Sequence, residues 1–273
     1  MQMPAFDIEA VTRELRAAGC VFAEDEAQLL VHTARSTAEL AGLVARRVAG
    51  NPLEYVLGWA EFKGLRVGVR AGVFVPRRRS ALLVDEALTL ARADPPRTVV
   101  DLCCGSGALG LALISELTGR PDPLPDLYAA DIDPVAADCA RRNLAGVGGR
   151  VYQGDLFDAL PEQLRGRIDI LLANTPYVPS ESLARMPPEA RDHEPATALD
   201  GGPDGLELAR RTAAAAPAWL APGGCVLIEI GTDQIPAATA LLTDNGFAAR
   251  IARSAELGAT VAIGRPATAI SGP

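Results

Sequence analysis

Ile168-Asp169-Ile170-Leu171-Leu172-Ala173-Asn174-Thr175-Pro176-Tyr177 is an apolar run that ends abruptly in an amide, a hydroxyl, a proline and a phenol. An apolar stretch of about six residues without alternation describes a strand buried on both faces, the condition of a parallel sheet covered by helices. In open α/β sheets ligands occupy the crevice outside the carboxyl ends of the strands, so Asn174 and Tyr177 are aimed at a pocket. Asn and Pro also favour turns, and the four terminal residues taken alone leave a plain turn open.

Outward from this strand the chain alternates. Before it lie a strand at 98–102, a helix to about residue 117, a strand at 127–130, a helix at 134–144 and a strand at 151–154. After it come a long loop over 178–203, a helix through Trp219, a strand at 225–230, a helix ending at Asn245-Gly246 and two short strands. Such alternation predicts a mainly parallel, doubly wound sheet. Residues 8–49 repeat apolar positions at three and four (Ile8, Val11, Leu15; Ala27, Leu30, Val31, Ala34), which predicts about three helices too few to hold a core unaided. Between them, 55–58, 61–69 and 73–76 have strand character, and Leu65, Val67 and Val69 alternate as in a half-buried hairpin. The expected division is a helical domain over 1–50, a β-hairpin connector over 51–76 and a sheet domain over 77–273.

Composition narrows the function classes. With 34 acidic against 26 basic residues the chain carries a formal charge of -8, which argues against a sequence-independent grip on phosphate backbones. Arg77-Arg78-Arg79 is the tight basic run and reads first as a solvated face. Five cysteines without CxxC spacing and two histidines predict neither a disulfide framework nor a metal site. The first residues show no basic and apolar leader, and no apolar run approaches the roughly 18 residues of a membrane span, so a reduced, cytoplasmic protein is expected.

Three strand ends carry acids. Val99-Val100-Asp101-Leu102-Cys103-Cys104-Gly105-Ser106-Gly107-Ala108-Leu109-Gly110 is a strand, a glycine loop and a helix start, and formally satisfies the dinucleotide pattern G-x-G-x-x-G. Asp101 would lie among a dinucleotide's phosphates, whereas S-adenosylmethionine, with a cationic amino group and no phosphate, tolerates a carboxylate there. Asp131, after the next strand, is placed to accept both ribose hydroxyls. Asp155 ends the third strand, suited to an adenine amino group with Leu156 covering the ring. Any one of these aspartates could be a helix N-cap; three in succession make a shared ligand the better reading.

These segments, with Asn174-x-Pro176-Tyr177, His193-Glu194-Pro195 and Leu199-Asp200-Gly201-Gly202-Pro203-Asp204-Gly205-Leu206, resemble the HemK/PrmC family of S-adenosylmethionine-dependent N5-glutamine methyltransferases acting on peptide-release factors. The similarity extends to Pro52-Leu53-Glu54-Tyr55-Val56-Leu57-Gly58 and Val75-Pro76-Arg77. The resemblance implies a helical N-terminal domain, a β-hairpin and a Rossmann-like class I methyltransferase sheet of seven strands. It implies that Asp101, Cys103, Cys104, Gly105, Ser106, Gly107, Asp131, Ile132, Asp155, Leu156 and Asn174 surround the cofactor. It further implies that Asn174 and the Thr175 carbonyl accept the two N–H bonds of the target amide, with Pro176, Tyr177, Phe74 and Arg77 lining the same pocket. Fixing both hydrogens orients the amide lone pair toward the sulfonium methyl, which matters because that lone pair is delocalised.

The chain departs from the family pattern at three places. Thr175 stands where the family has the first proline of Asn-Pro-Pro-Tyr, Cys103 where the loop usually begins with Gly, and Pro76-Arg77-Arg78-Arg79-Ser80-Ala81 where the family reads Pro-Arg-Pro-x-Thr-Glu. These leave fold and cofactor in place and open the question of the acceptor: a release factor, or a small-molecule amine or amide. A nucleobase amino group is planar as well, but the acidity and the lack of room for a target-recognition domain argue against DNA. A nicotinamide oxidoreductase would share the glycine pattern, with Asp101 against it; a catalytically silent binding module would not need Asn174, Pro176 and Tyr177.

Overall fold

The computed structural model describes residues 7–118 and 124–267. The expectation about a leader rests on residues 1–6, which lie outside them. Three helices, α1 (Ile8–Ala17), α2 (Ala23–Thr33) and α3 (Thr37–Val48), open the described chain. Asp7 and Ser36 cap α1 and α3 by accepting from the amides of Ala10 and Glu39 at 3.0 and 3.1 Å, which satisfies donors that helix starts otherwise leave bare. Their apolar faces meet in one cluster of Val11, Leu15, Ala27, Leu30, Leu40 and Val44.

Val56 joins that cluster, and this corrects the reading of the connector. Residues 55–58, expected as strand, are the end of a short helix α4 (Leu53–Leu57), closed by Gly58 in the left-handed region at φ 81°. The apolar surface of the three helices takes Val56 as a helical residue, and tertiary burial overrides local strand character. The hairpin follows as β1 (Trp59–Phe62) and β2 (Leu65–Gly68), paired antiparallel. Its turn has Lys63 and Gly64 both at positive φ, 49° and 76°, the pattern whose twist matches a two-residue hairpin. Residues 73–76 find no partner strand; Val73 and Val75 are buried, and the Val73 carbonyl accepts from the Tyr55 hydroxyl at 2.6 Å.

The remaining elements are α5 (Ala81–Ala93), β3 (Thr98–Leu102), α6 (Ala108–Leu117), β4 (Asp126–Asp131), α7 (Pro134–Leu144), β5 (Arg150–Gln153), β6 (Ile168–Ala173), α8 (Pro188–His193), α9 (Glu207–Trp219), β7 (Leu220–Ile230), α10 (Ile235–Asp244), β8 (Phe247–Ser254) and β9 (Ala259–Pro266). The seven-stranded sheet runs β5-β4-β3-β6-β7-β9-β8, with β9 antiparallel to both neighbours and the other pairs parallel. The chain order reverses between β3 and β6, the switch point where such sheets hold ligands.

Both faces of the sheet are dry. Ile170 and Leu172 pack with α5 and α6 residues such as Leu83 and Leu113. Leu171 and Ala173 pack with Ala209, Ala213 and Trp219 of α9. Alternate side chains point to opposite faces, so a strand covered twice must be apolar throughout. Asp169 is the exception, and its carboxylate accepts from the amides of Arg97 and Thr98 at 2.8 and 2.9 Å, tying the start of β6 to the start of β3. β7 begins at Leu220, earlier than the expected 225, because Leu220 pairs with Ile168 across a register shift.

Asp101 obeys the same alternation. Fully buried, it accepts from the Gly110 amide at 3.0 Å, on the α6 side of β3. A Cβ at Gly110 would meet that carboxylate at 3.3 Å and Leu127 at 3.0 Å, so glycine lets α6 approach. Burial pushes the Asp101 carboxyl from 3.8 to about 7, the Gly110 amide opposing and Asp131 adding to the rise. A carboxyl held near 7 in the fold and near its ordinary value in the unfolded chain binds more protons folded than unfolded between the two. Stability is therefore lost as pH rises through that window. Asp101→Asn removes the titration. We expect its thermal midpoint, relative to wild type, to climb by roughly 3 °C or more between about pH 5 and about pH 8; a difference that stays flat across that range overturns the assignment.

Candidate functional site

Four strands deliver their carboxyl ends to one open cleft, whose space counted out into the solvent at its mouth is about 1040 Å³; such clefts at strand ends are where small molecules and cofactors bind. Cys103 and Gly105 reach it from the turn after β3, Asp131 and Ile132 from the end of β4, Asp155 and Leu156 after β5, and Asn174 through Tyr177 after β6. Phe74 and Arg77 close the side nearest the hairpin. Of the residues expected at a site, the structure brings these twelve together.

Asp101, Cys104, Ser106 and Gly107 do not line the cavity. Asp101, expected around the cofactor, turns to the α6 face for the reason given above and lies outside the cavity lining. Cys104 is buried, its amide donating to the Ala130 carbonyl at 3.1 Å. The Ser106 carbonyl accepts from Asn143 at 2.8 Å. A Cβ at Gly107 would press on Leu144 at 3.1 Å, so this glycine serves the packing of the loop on α7. Asn143, unremarked in the sequence, is the tie: its amide also donates to the Gly68 carbonyl at 2.9 Å and accepts from the Gly68 amide at 3.0 Å. It fastens the hairpin to the glycine loop from below.

Two non-glycine residues at the cavity, Cys103 and Leu156, sit in the left-handed region at φ 53° and 46°. Each costs on the order of 1 kcal/mol, and such strain collects at functional sites. Asp131 is held by the loop itself: one carboxylate oxygen accepts from the Gly105 amide at 2.8 Å and the other from the Asp133 amide at 2.9 Å. Burial raises its pKa, with those amides opposing. Each oxygen keeps a further lone pair for a ligand hydroxyl. Asp155 is 2.6 Å from the Arg211 guanidinium of α9, a neighbour the sequence did not announce.

At the other end, the Asn174 amide nitrogen donates to the Ser80 hydroxyl at 3.3 Å. Its oxygen is thereby the end left to accept. Thr175 is buried, and its hydroxyl finds no partner among the described residues. The Tyr177 hydroxyl donates to buried Glu229 at 3.1 Å, while Arg79 lies over its ring at 5.3 Å and approaches the same carboxylate at 3.4 Å. Arg77 pairs with buried Glu194 at 2.5 Å and lies 5.1 Å over Phe74. Arg78 and Arg79, with 81% and 43% of their side chains exposed, form the solvated face expected of the run, while Arg77 is half-buried.

The glycine-rich stretch after the loop clamps this strand end. A Cβ at Gly205 would fall 2.2 Å from the Tyr177 carbonyl and one at Gly201 2.6 Å from the Pro176 carbonyl. Gln234 donates to that Tyr177 carbonyl at 3.0 Å. Met186, Pro195, Thr197, Ala198 and Leu199 of the same long segment supply cavity wall; its length and prolines mark it as a loop, without saying what it covers.

Residues 65–186 match the family model described as Methyltransferase small domain. A release factor glutamine methyltransferase of Geobacter sulfurreducens is 38% identical over 208 residues, which cover 76% of this chain and 70% of the relative. A 4-amino-L-phenylalanine/4-methylamino-L-phenylalanine methyltransferase of Streptomyces pristinaespiralis is 36% identical over 208 residues, covering 74% of this chain and 69% of the relative. Among solved structures, a 16S rRNA methyltransferase of T. thermophilus in complex with AdoMet and guanosine superposes with a TM-score of 0.54 at 21% identity, over 77% of this chain and 50% of that one; at that identity the likeness is one of fold. Glycine loop, strand-end acids and Asn-x-Pro-Tyr tip thus stand in one cavity of a seven-stranded sheet, and the chain is a methyltransferase that belongs to the HemK/PrmC family, the family of the release factor glutamine methyltransferases.

Proposed function

We propose that the chain transfers a methyl group from S-adenosylmethionine to a planar nitrogen, the side-chain amide of a protein glutamine, as the name of the Geobacter relative states for that enzyme. The observation that carries this reading is the tip of β6: Asn174, oriented by Ser80, presents an amide oxygen beside the Thr175 backbone and the Tyr177 ring in one cavity. Bound S-adenosylmethionine supplies an electrophilic methyl on a sulfonium. The cavity suits it on this chain's own terms. The Gly105 backbone is open to approach, since a Cβ there would meet nothing nearer than Phe74 at 3.9 Å. Asp131 has lone pairs for ribose hydroxyls, and Asp155, one oxygen engaged by Arg211, keeps the other for an adenine amino group.

Acceptor chemistry then falls to the tip. An amide nitrogen is a weak nucleophile, so holding its two hydrogens on the Asn174 oxygen and the Thr175 carbonyl aims the lone pair and offsets charge growing on nitrogen. Phe74 and Tyr177 bound the slot for a planar group. Burial, together with the charge of Glu229, holds the Tyr177 hydroxyl protonated well above the ordinary phenol range, so Tyr177 serves as a wall and a donor to Glu229. Release of the proton needs no strong base once nitrogen is alkylated. A protein acceptor in the cytoplasm agrees with the absence of any membrane-crossing helix among the described residues and with the acidic charge, which disfavours DNA.

A second reading, a small-molecule arylamine or amide as acceptor, is favoured by one observation: Thr175 replaces a proline of the family motif, in a chain 36% identical to an enzyme named for 4-amino-L-phenylalanine. An arylamine nitrogen is planar and offers two hydrogens, as an amide does.

Asn174→Ala is expected to leave cofactor affinity nearly intact and to slow methyl transfer by on the order of 10², the effect of losing one transition-state contact; unchanged turnover in a labelled-methyl assay removes Asn174 from the mechanism. Asp131→Ala should weaken S-adenosylmethionine binding by roughly 1.5 to 3 kcal/mol, the worth of hydrogen bonds to a charged group, and calorimetry that finds the affinity unaltered rejects the ribose assignment. Thr175→Pro, assayed in parallel on release factor and on aminophenylalanine, should move preference toward the protein; equal activities before and after place acceptor choice elsewhere.

A further inference from the structure

The segment between β6 and α9 walls the acceptor end, and two ion pairs hold it. One is Arg77 with Glu194. The other crosses from the helical domain. Arg47, near the end of α3, places its guanidinium 2.7 Å from the Glu189 carboxylate of α8. The same guanidinium engages Glu26 of α2 at 2.6 and 3.0 Å, a fork-on-fork pair, and donates to the Asn51 carbonyl at 3.1 Å. Arg47 and Glu26 side chains are 7% and 9% exposed, Glu189 51%. Gly50, at φ 89°, lies where a Cβ would come within 4.0 Å of the His193 ring. Arg47 thus meets the first turn of α8, and Gly50, lacking a Cβ, leaves room beside the His193 ring at its other end.

A bidentate guanidinium–carboxylate pair fixes geometry as well as charge. Removing the partner of a buried charge is costly, so Arg47 stays with Glu26. It is a fixed post, and the edge it turns toward α8 meets a residue of the loop. From α8 the chain passes directly into Glu194, Pro195, Thr197, Ala198 and Leu199, the last four at the cavity wall.

We propose that Arg47 is a positioning residue for the acceptor half of the site: anchored by Glu26, it holds α8 through Glu189 and fixes the wall that follows, making the helical domain part of the acceptor pocket. This rests on the reading of the cavity as a methyl-transfer site. The matched family model begins at residue 65, so the post lies outside it.

Glu189→Lys tests the proposal, because it sets a cation against Arg47 and leaves the Arg47–Glu26 pair intact. Amide hydrogen exchange over 186–199 should quicken roughly ten-fold, the loss of a charge-assisted hydrogen bond. The acceptor KM should rise by a similar factor while kcat and cofactor affinity stay within about two-fold. Glu189→Gln, which keeps an acceptor oxygen, should restore most of both. Unchanged exchange over 186–199 overturns the proposal, whatever the acceptor proves to be, and so does faster exchange with an unchanged acceptor KM. The exchange arm needs no substrate, so failure of wild type to methylate either acceptor would count against the function assigned to the cavity and not against the post.

Discussion

The site depends on one strand being covered on both faces. β6 lies between β3 and β7 with Ile168, Leu171, Leu172 and Ala173 fully buried, and beyond half-buried Asp169, whose carboxylate accepts from the amides of Arg97 and Thr98, no side chain along it reaches water until the sheet ends. Burying Ile168, Leu171 and Leu172 stabilises the fold by roughly 1.5 to 3 kcal/mol each. The same burial forces all polar chemistry to the tip. Asn174 to Tyr177 are where they are because, beyond Asp169, the strand that carries them has no other place for a polar group.

Around that tip the protein surrounds the cavity with carboxylates whose charge is held by backbone amides or arginines. Asp131 is gripped by the amides of Gly105 and Asp133, Asp155 by Arg211, Glu194 by Arg77, and Glu229 by Tyr177 and Arg79. The arrangement divides the cavity. The first two acids face the ends of β4 and β5, suited to hydroxyls and an amino group. The last two sit behind the tip of β6 and present their arginines and the tyrosine ring to the cavity. Burial raises the Glu194 pKa, with Arg77 opposing it; each buried acid is affordable only through its partner.

Much of this was legible in the residues. Alternating strands and helices, the double-sided apolar run at 168–173 and the acids after three strands give the architecture and the cavity's floor, because hydrophobic period and strand-end position are local properties. The twelve residues that meet in the cavity are those whose place follows from the end of a strand or from the connector beside it. Asp101 lies outside the cavity lining for a reason within the same logic: it is the last polar residue inside a strand, and alternation, not proximity to the glycine loop, decides which way it faces. Residues 55–58 have β-branched and aromatic character yet form the end of α4, since the cluster around Leu30 and Val44 takes Val56 as a helical neighbour.

Sequence alone determined the alternation of strands and helices that makes a doubly wound sheet and the polar residues placed at its strand ends, since these follow from periodicity and from the rule that polar groups appear where burial stops. Tertiary structure alone decided the partners. Asn143 linking hairpin to glycine loop, Arg211 on Asp155, Arg79 over Tyr177, and Arg47 reaching α8 join residues far apart in the chain. A long polar side chain is compatible with many contacts, and only the packing of the elements around it selects one.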